Sequence, residues 1–388
     1  MNIIGNKKKI AIIGKGTAGS LTVSSIVHHF KHQYEIEWYF DPLTPTQSVG
    51  EGSTLPFPHA LSRSYNFSYS DFSILDATIK TGIRKINWNG TNDYIHYFPI
   101  GNISMHFNAT KLQEFIFQSE KNNITFKTQN IKSYQDIDAT QIIDCSGSPK
   151  NYSEHNVLNS IPVNTAYIQQ CPWDTPRFNY TLTVARPYGW VFGIPLQGRC
   201  SIGYLFNSNF NTFEEVQEDI KIIFKQFNLN PTGDTNKISF KNYYKKENYI
   251  DRVAWNGNAS FFLEPMEANA IGTVSKTYNL IHKILNKSIN LSQANFNYND
   301  YLQQVESMIC IHYYAGSKYD TPFWKNAQEI SQEPVERMFK DSRFLNILEN
   351  IIYNRYLSPN TDYGQWHMVS WKENLVNLNL LDKLKKLV

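Results

Sequence analysis

Residues 9–19, Lys9-Ile-Ala-Ile-Ile13-Gly14-Lys-Gly16-Thr17-Ala18-Gly19, are followed by the amphipathic run SLTVSSIVHHF. A short aliphatic run, a G-x-G-x-x-G turn and a 3.6-residue period read as strand, tight turn and helix. The three glycines act differently. Gly14 permits the turn, Gly16 lets backbone approach a pyrophosphate, and Gly19 lets the helix close on the strand. The N–H groups at the helix start, from Thr17 and Ala18 onward, then favour phosphate. Residues 35–40 read as a second strand ending in Asp41, 22 residues past Gly19, near the place of a ribose-binding acid. The βαβ unit predicts a dinucleotide site, and the motif alone leaves FAD and NAD both open.

Composition narrows the rest. A chain of 388 residues with 41% hydrophobic and 18% charged residues can bury a large core, which excludes a disordered protein. The net charge of +3 is spread without a basic stripe, so no nucleic acid is expected as a partner. Cys145, Cys171, Cys200 and Cys310 are widely spaced, which speaks against a metal centre and against a disulfide framework. The first apolar run leads straight into the glycine turn, and no apolar stretch reaches membrane-spanning length. The expectation is a cytoplasmic protein with no membrane partner and room for self-association.

Along the chain, residues 42–58 are rich in Pro, Gly, Ser and Thr and read as a long loop over a ligand. Residues 140–147, TQIIDCSG, read as a buried strand ending in a glycine turn. Residues 180–206, broken by Pro187, Pro195 and Gly198, read as antiparallel strands. Residues 257–272 form a second glycine-bounded segment with a helix expected over 274–287, and the last third reads as helical. No repeat or linker divides the chain, so one body over 1–388 is expected.

Several strings resemble the flavin-dependent tryptophan halogenases. Val49-Gly-Glu51-Gly52-Ser-Thr54-Leu-Pro56 is similar to the family's G-E-x-T-x-P flavin loop, and Ala77-Thr-Ile-Lys80 through Asn87-Trp88 to the segment carrying its essential lysine. Tyr188-Gly189-Trp190-Val-Phe192-Gly-Ile194-Pro195 resembles W-x-W-x-I-P, and Phe262-Leu-Glu-Pro265-Met-Glu267 resembles F-L-E-P-L-E-S-T-G. His312-Tyr313 and Asp320-Thr-Pro322-Phe-Trp324 follow in family order.

The resemblance implies an α/β, FAD-binding Rossmann-like fold of the GR2 flavin-monooxygenase type, with an inserted antiparallel sheet and a C-terminal helical region. FAD-binding parts fall near 8–60, 130–150 and 250–290, a substrate-side sheet near 90–125 and 160–210, and helices over 290–388. It further implies a halogenase that takes FADH2 from a separate flavin reductase, with oxygen and a halide, and acts on a small aromatic substrate. Lys80 would deliver hypohalous acid by hydrogen bonding or as a haloamine, and Glu267 would orient it and accept the ring proton. Gly14, Gly16, Thr17, Ala18, Gly19, Asp41, Glu51, Gly52 and Ile271 would bind FAD. Backbone N–H groups of Asn269 and Ala270 would hold halide, and His96 and Phe98 would sandwich the substrate ring.

The departures carry information too. Ala268-Asn269-Ala270 stands for S-T-G, Phe192 for the second Trp, and Asn258 for the Asp of a G-D pair. Trp190 and Phe192 would form an apolar screen against simple monooxygenation, or serve as core aromatics. The chain is short after Trp324, which predicts a reduced lid, an open site and broad aromatic scope, although Trp366 and Trp371 could cap it. A flavin-dependent aromatic monooxygenase and a non-catalytic FAD-binding protein are the competing readings.

Overall fold

The computed structural model describes residues 7–44, 50–99, 101–355 and 361–387. Val49 of the flavin-loop string, and residues 45–48 of the expected long loop, lie outside the described residues. Strand β1 (Lys8–Ile13) sinks its last four residues into the core and pairs in parallel with β2 (Tyr34–Phe40), setting Ile10 beside Ile36 and Ile12 beside Trp38. Helix α1 (Thr17–Phe30) makes the crossover between them. Both faces of such a sheet must be covered, which explains why these strands are nearly continuous apolar runs.

Parallel pairing continues through β8 (Thr125–Thr128), β9 (Gln141–Asp144) and β18 (Val253–Trp255), with β17 (Tyr249–Ile250) antiparallel at the edge. The strand order is β17-β18-β9-β1-β2-β8. Segments far apart in sequence thus place their C-terminal ends around the glycine turn, where open α/β sheets take ligands.

A larger sheet runs β15 (Thr232–Ser239), β11 (Thr165–Pro172), β14 (Arg199–Phe206), β13 (Gly189–Pro195), β12 (Thr181–Arg186), β5 (Gly82–Ile86), β6 (Asp93–Tyr97). Its pairings are antiparallel except β12 with β5. Helix α4 (Phe213–Gln226) packs on one face through Val216, Ile220 and Ile223. Two small sheets complete the strands: β3 (Gly50–Gly52), β7 (Ser104–Asn108) and β4 (Thr78–Lys80), and then β10 (His155–Val157), β16 (Tyr243–Lys245) and β19 (Phe261–Phe262).

The substrate-side sheet differs from the expected 90–125 boundary. Only β6 of that span joins the large sheet, because Asn108 caps α3 (Ala109–Glu120) by accepting from the Lys111 N–H, and Leu112 and Ile116 bury one helical face. The short α2 (Pro56–Tyr65) lies just after β3. Helix α5 (Asn269–Leu285) begins at residue 269, ahead of the expected 274.

The C-terminal region is helical as expected: α6 (Leu291–Ala315), α7 (Pro322–Ile330), α8 (Gln332–Phe339), α9 (Ser342–Ile352), α10 (Met368–Asn377) and α11 (Leu381–Leu384). Helix α6 is buried along most of its second half, and α10 rests against β6, where Asn92 Nδ2 donates to Asn377 O at 2.9 Å. Among the described residues no helix is long and apolar enough to cross a membrane.

Candidate active site

Two groups of residues stand out in this frame, a cradle at the end of β1 and a buried cluster of charged and aromatic side chains around Glu267. At the cradle, a Cβ on Gly14 would lie 2.3 Å from Cys145 O, and Gly14 also has φ +101°. A Cβ on Gly19 would lie 2.1 Å from Gly14 O, whereas one on Gly16 would meet no described residue within 4 Å apart from its chain neighbours. Gly14 and Gly19 are therefore required by packing, and Gly16 faces open space. Gly16 is also the N-cap of α1 and offers no side-chain cap, so the first N–H groups there remain available to an anion.

A groove of about 330 Å³ continues over the ends of β1 and β9, lined by Ile13, Lys132, Tyr134, Asp144 and Ser146. Asp41 sits at the end of β2, as expected. Its carboxylate accepts from the Leu43 N–H at 2.9 Å and from Asn130 Nδ2 at 2.9 Å. The Ala18 Cβ lies where a side chain on Gly257 would fall, 2.3 Å away, so the start of α1 packs tightly on that second glycine turn. Thr17 Oγ1 donates to Glu51 at 3.1 Å, and burial pushes the Glu51 carboxyl up to about 7. A dinucleotide fits this donor set and this open face.

The cluster is built from strand ends and two helices. Strand β4 carries Lys80, 1% exposed, and β3 makes room for it: a Cβ on Gly52 would stand 3.3 Å from Lys80 Nζ. Lys80 Nζ donates to Ser53 O at 3.3 Å and lies 5.5 Å from the centre of the Phe98 ring. Burial lowers its pKa to about 8, opposed in part by Glu267. From β6, His96 is buried with no hydrogen-bond partner on either ring nitrogen among the described residues, and desolvation lowers it to about 4. His96 and Phe98 meet edge to face at 6.0 Å.

Glu267 enters from the turn before α5. It and Ala268 both adopt left-handed backbone, with φ 61° and 52°. Such a pair is costly for residues other than glycine. Asn269 holds the turn, donating from Nδ2 to Glu264 O at 2.6 Å and to Met266 O at 3.0 Å. The side chain that replaces the family's threonine is therefore a staple. The first N–H groups of α5, those of Asn269, Ala270 and Ile271, have no partner within the helix. Ala270 is exposed and Asn269 buried, while the Ile271 side chain is in the core, so only its backbone can face a cofactor.

Several residues that sequence reasoning left without a role complete the cluster. Lys85, fully buried on β5, donates to Glu267 Oε1, to Asn374 Oδ1 on α10 and to His312 Nε2 on α6, the last at 2.7 Å. Glu267 is held well below the usual carboxylate range by the Lys85 ammonium, against the effect of burial. Its second oxygen, Oε2, is buried and has no partner among the described residues. Nothing in the pair Arg84-Lys85 distinguishes a buried lysine from a solvated one. Strand β5 is buried throughout except at half-exposed Arg84, so no alternation marked Lys85 as buried.

Trp190 is not a bare apolar screen. Its indole N–H donates to Glu264 Oε2 at 2.9 Å and also reaches Tyr313 OH at 2.9 Å, and Tyr313 OH donates to Glu264 Oε1 at 3.1 Å. Burial pushes Glu264 up to about 8. This network anchors the loop that ends in Glu267, with Phe192 packed beside Trp190 at 6.1 Å.

The expected open site is also corrected. The segment after residue 360 folds back over the Glu267 turn. Gln365 Nε2 donates to Asn269 O at 3.1 Å and Trp366 Nε1 to Glu267 O at 3.4 Å. A Cβ on Gly272 would fall 1.7 Å from Gln365 Oε1, so α5 has a glycine where the segment crosses it. Trp371 is fully buried against Trp366 at 6.1 Å.

Comparison with known proteins gives one consistent pattern. The family model described as tryptophan halogenase matches residues 9–135 and 122–351. Tryptophan 7-halogenase RebH of Lentzea aerocolonigenes is 24% identical over 364 residues, covering 82% of this chain and 63% of that protein. Tryptophan 6-halogenase ThaL of Streptomyces albogriseolus is 23% identical, covering 59% of this chain and 49% of that protein. The chain thus spans less than two thirds of the length of these curated relatives. Among solved structures, Xcc4156, a flavin-dependent halogenase from Xanthomonas campestris, superposes with TM-score 0.80 at 15% identity, covering 99% of this chain and 94% of that one. BrvH, a flavin-dependent halogenase from Brevundimonas sp. BAL3, gives 0.79 at 18% identity, with 98% and 94% covered. At these identities the superpositions establish the shared fold.

Proposed function

The chain belongs to the tryptophan halogenase family, and from that premise we propose that it halogenates an electron-rich aromatic ring, a phenol or an indole, using FADH2, oxygen and halide. The observation that carries this reading is the contrast between two buried lysines. Lys85 has its N–H groups occupied by three acceptors, while Lys80, close to His96 and Glu267, makes a single long hydrogen bond among the described residues.

FADH2, received from a separate flavin reductase, would give two electrons to oxygen, and oxygen would take two more from halide, leaving hypohalous acid and water. The glycine cradle and the first turn of α1 would hold its pyrophosphate, with Gly52 and Glu51 on the strand beside them. The N–H groups of Asn269 and Ala270 orient the halide. Lys80, mostly an ammonium at neutral pH with a pKa of about 8, donates a hydrogen bond to the hypohalous acid. Its minor neutral form can hold the halogen as a haloamine. The free Oε2 of Glu267 accepts the proton released when the ring regains aromaticity. His96, neutral at pH 7, and Phe98 bound the aromatic ring without adding charge. Burial excludes water, which would otherwise disperse the electrophile. The free, buried state of all four cysteines supports a cytoplasmic setting.

The test supplies photoreduced FAD, oxygen and each halide in turn to the protein with a panel of phenols and indoles, followed by mass spectrometry. Halogenated product that depends on Lys80 is expected. Oxygenated product without halide would replace this reading with a monooxygenase, and absence of any product with FAD bound would replace it with a flavin-binding role.

A further inference from the structure

Five titratable side chains from four elements surround one carboxylate. Lys80 on β4, Lys85 on β5, Tyr94 and His96 on β6 and His312 on α6 all interact with Glu267, and Glu373 on α10 faces Tyr94. We infer that Lys85 is a positioning residue, which by engaging Oε1 of Glu267 leaves Oε2 available to substrate and keeps Lys80 out of an ion pair.

The hydrogen-bond inventory supports this. An ammonium has three N–H donors and no acceptor. Lys85 meets three acceptors: the Glu267 carboxylate, the Asn374 carbonyl oxygen and His312 Nε2. His312 can accept there because its Nδ1 donates to Met308 O at 2.9 Å, which fixes the neutral tautomer. Lys85 is thereby saturated and is no second carrier of the electrophile. Its charge and that of Glu267 cancel inside a desolvated cluster, so Lys80 carries the unbalanced positive charge. Without Lys85, Glu267 would either take up a proton or draw Lys80 into the pair, and each outcome removes one working group.

The proposal rests on the halogenase reading only for its kinetic arm. Full-length protein labelled with carbon-13 at glutamate Cδ, without added flavin, is titrated by NMR, and the Glu267 signal is identified by its loss in Glu267→Gln. The wild-type carboxyl is expected to stay ionised below the usual carboxylate range. In Lys85→Met its midpoint should rise by about 2 units or more, as for buried carboxyls lacking a partner. An unchanged midpoint, with no new contact between Lys80 Nζ and the carboxyl in nitrogen-15 spectra of the same variant, overturns the inference. Should Lys85→Met not fold, nitrogen-15 labelling of lysine in the wild type decides. A slowly exchanging three-proton Nζ at pH 7 in contact with the His312 ring supports the inference, and a neutral amine there overturns it. In turnover, the acid limb of kcat/KM should move to higher pH in Lys85→Met, while a merely structural loss would lower Tm and leave the limb in place. A shifted carboxyl in a protein that halogenates nothing defeats the halogenase reading and leaves this inference standing. Halogenation with an unshifted carboxyl does the reverse.

Discussion

Valine at position 16 should separate folding from cofactor binding. Gly16 has φ −68° and ψ 179°, extended backbone that any residue adopts, and apart from its chain neighbours no described residue comes within 4 Å of its would-be Cβ. Gly16→Val should therefore leave the Tm of flavin-free protein unchanged or slightly raised. Its side chain would nevertheless occupy the space in front of α1, where a pyrophosphate contacts backbone N–H groups. Displacing two charge-assisted hydrogen bonds at about 1.5–3 kcal/mol each removes about 3–6 kcal/mol. That is roughly a 10²- to 10⁴-fold rise in Kd. Gly14→Ala is the control: with φ +101° and 2.3 Å to Cys145 O, its Cβ cannot be placed without moving backbone, so Tm should fall whether or not FAD is present. Thermal unfolding and FAD fluorescence quenching measure the two effects. If Gly16→Val bound FAD within about threefold of wild type, roughly 0.7 kcal/mol, the cofactor would not approach this turn.

Three other outcomes follow from the cluster. Lys80→Ala should abolish halogenation of substrate while leaving FAD affinity intact, because the glycine turn holds the cofactor; wild-type rates in a peroxide-scavenged assay would remove Lys80 from delivery. Glu267→Gln should lower kcat by about 10²- to 10⁴-fold, the range of general-base contributions, as read by single-turnover kinetics; a change below about threefold would make Glu267 structural. His96, lowered from 6.5 to about 4, stays neutral in the folded protein while the unfolded chain binds a proton, so stability falls as pH drops from 6.5 toward 4. Urea midpoints of His96→Phe should show a slope in that window smaller by about one proton, and an unchanged slope would place His96 in contact with water.

What the sequence made legible was whatever local geometry encodes. The strand, turn and helix of residues 9–30 and the strand ending at Asp144 stand where the periodicities put them, because these elements are specified by neighbouring residues. Lys80 and Glu267, drawn from motifs far apart in the chain, lie close enough for Glu267 to raise the Lys80 pKa against the effect of burial. Their supporting shell was illegible for a physical reason. Lys85 meets Asn374 and His312 only after β5, α6 and α10 pack together, and nothing in a lysine's immediate neighbours records a contact made 289 residues away. Helix α3 could have been foreseen from Asn108 and the spacing of Leu112 and Ile116, but β-rich flanks hid it.

The turn at Glu267 shows why the departure from S-T-G is tolerated. Two successive left-handed residues other than glycine oppose folding by about 2–4 kcal/mol together. Against this stand the two hydrogen bonds from Asn269 Nδ2, the contacts of Gln365 and Trp366 with the carbonyls of residues 269 and 267, and the ion pair to Lys85. None of these needs a hydroxyl at 268 or 269. The conformation that points the first N–H groups of α5 in one direction is thus maintained by side chains behind the turn. The C-terminal segment contributes to the same restraint, since Gln365 and Trp366 bind the turn while they cover it. One segment consequently both covers this turn and braces it.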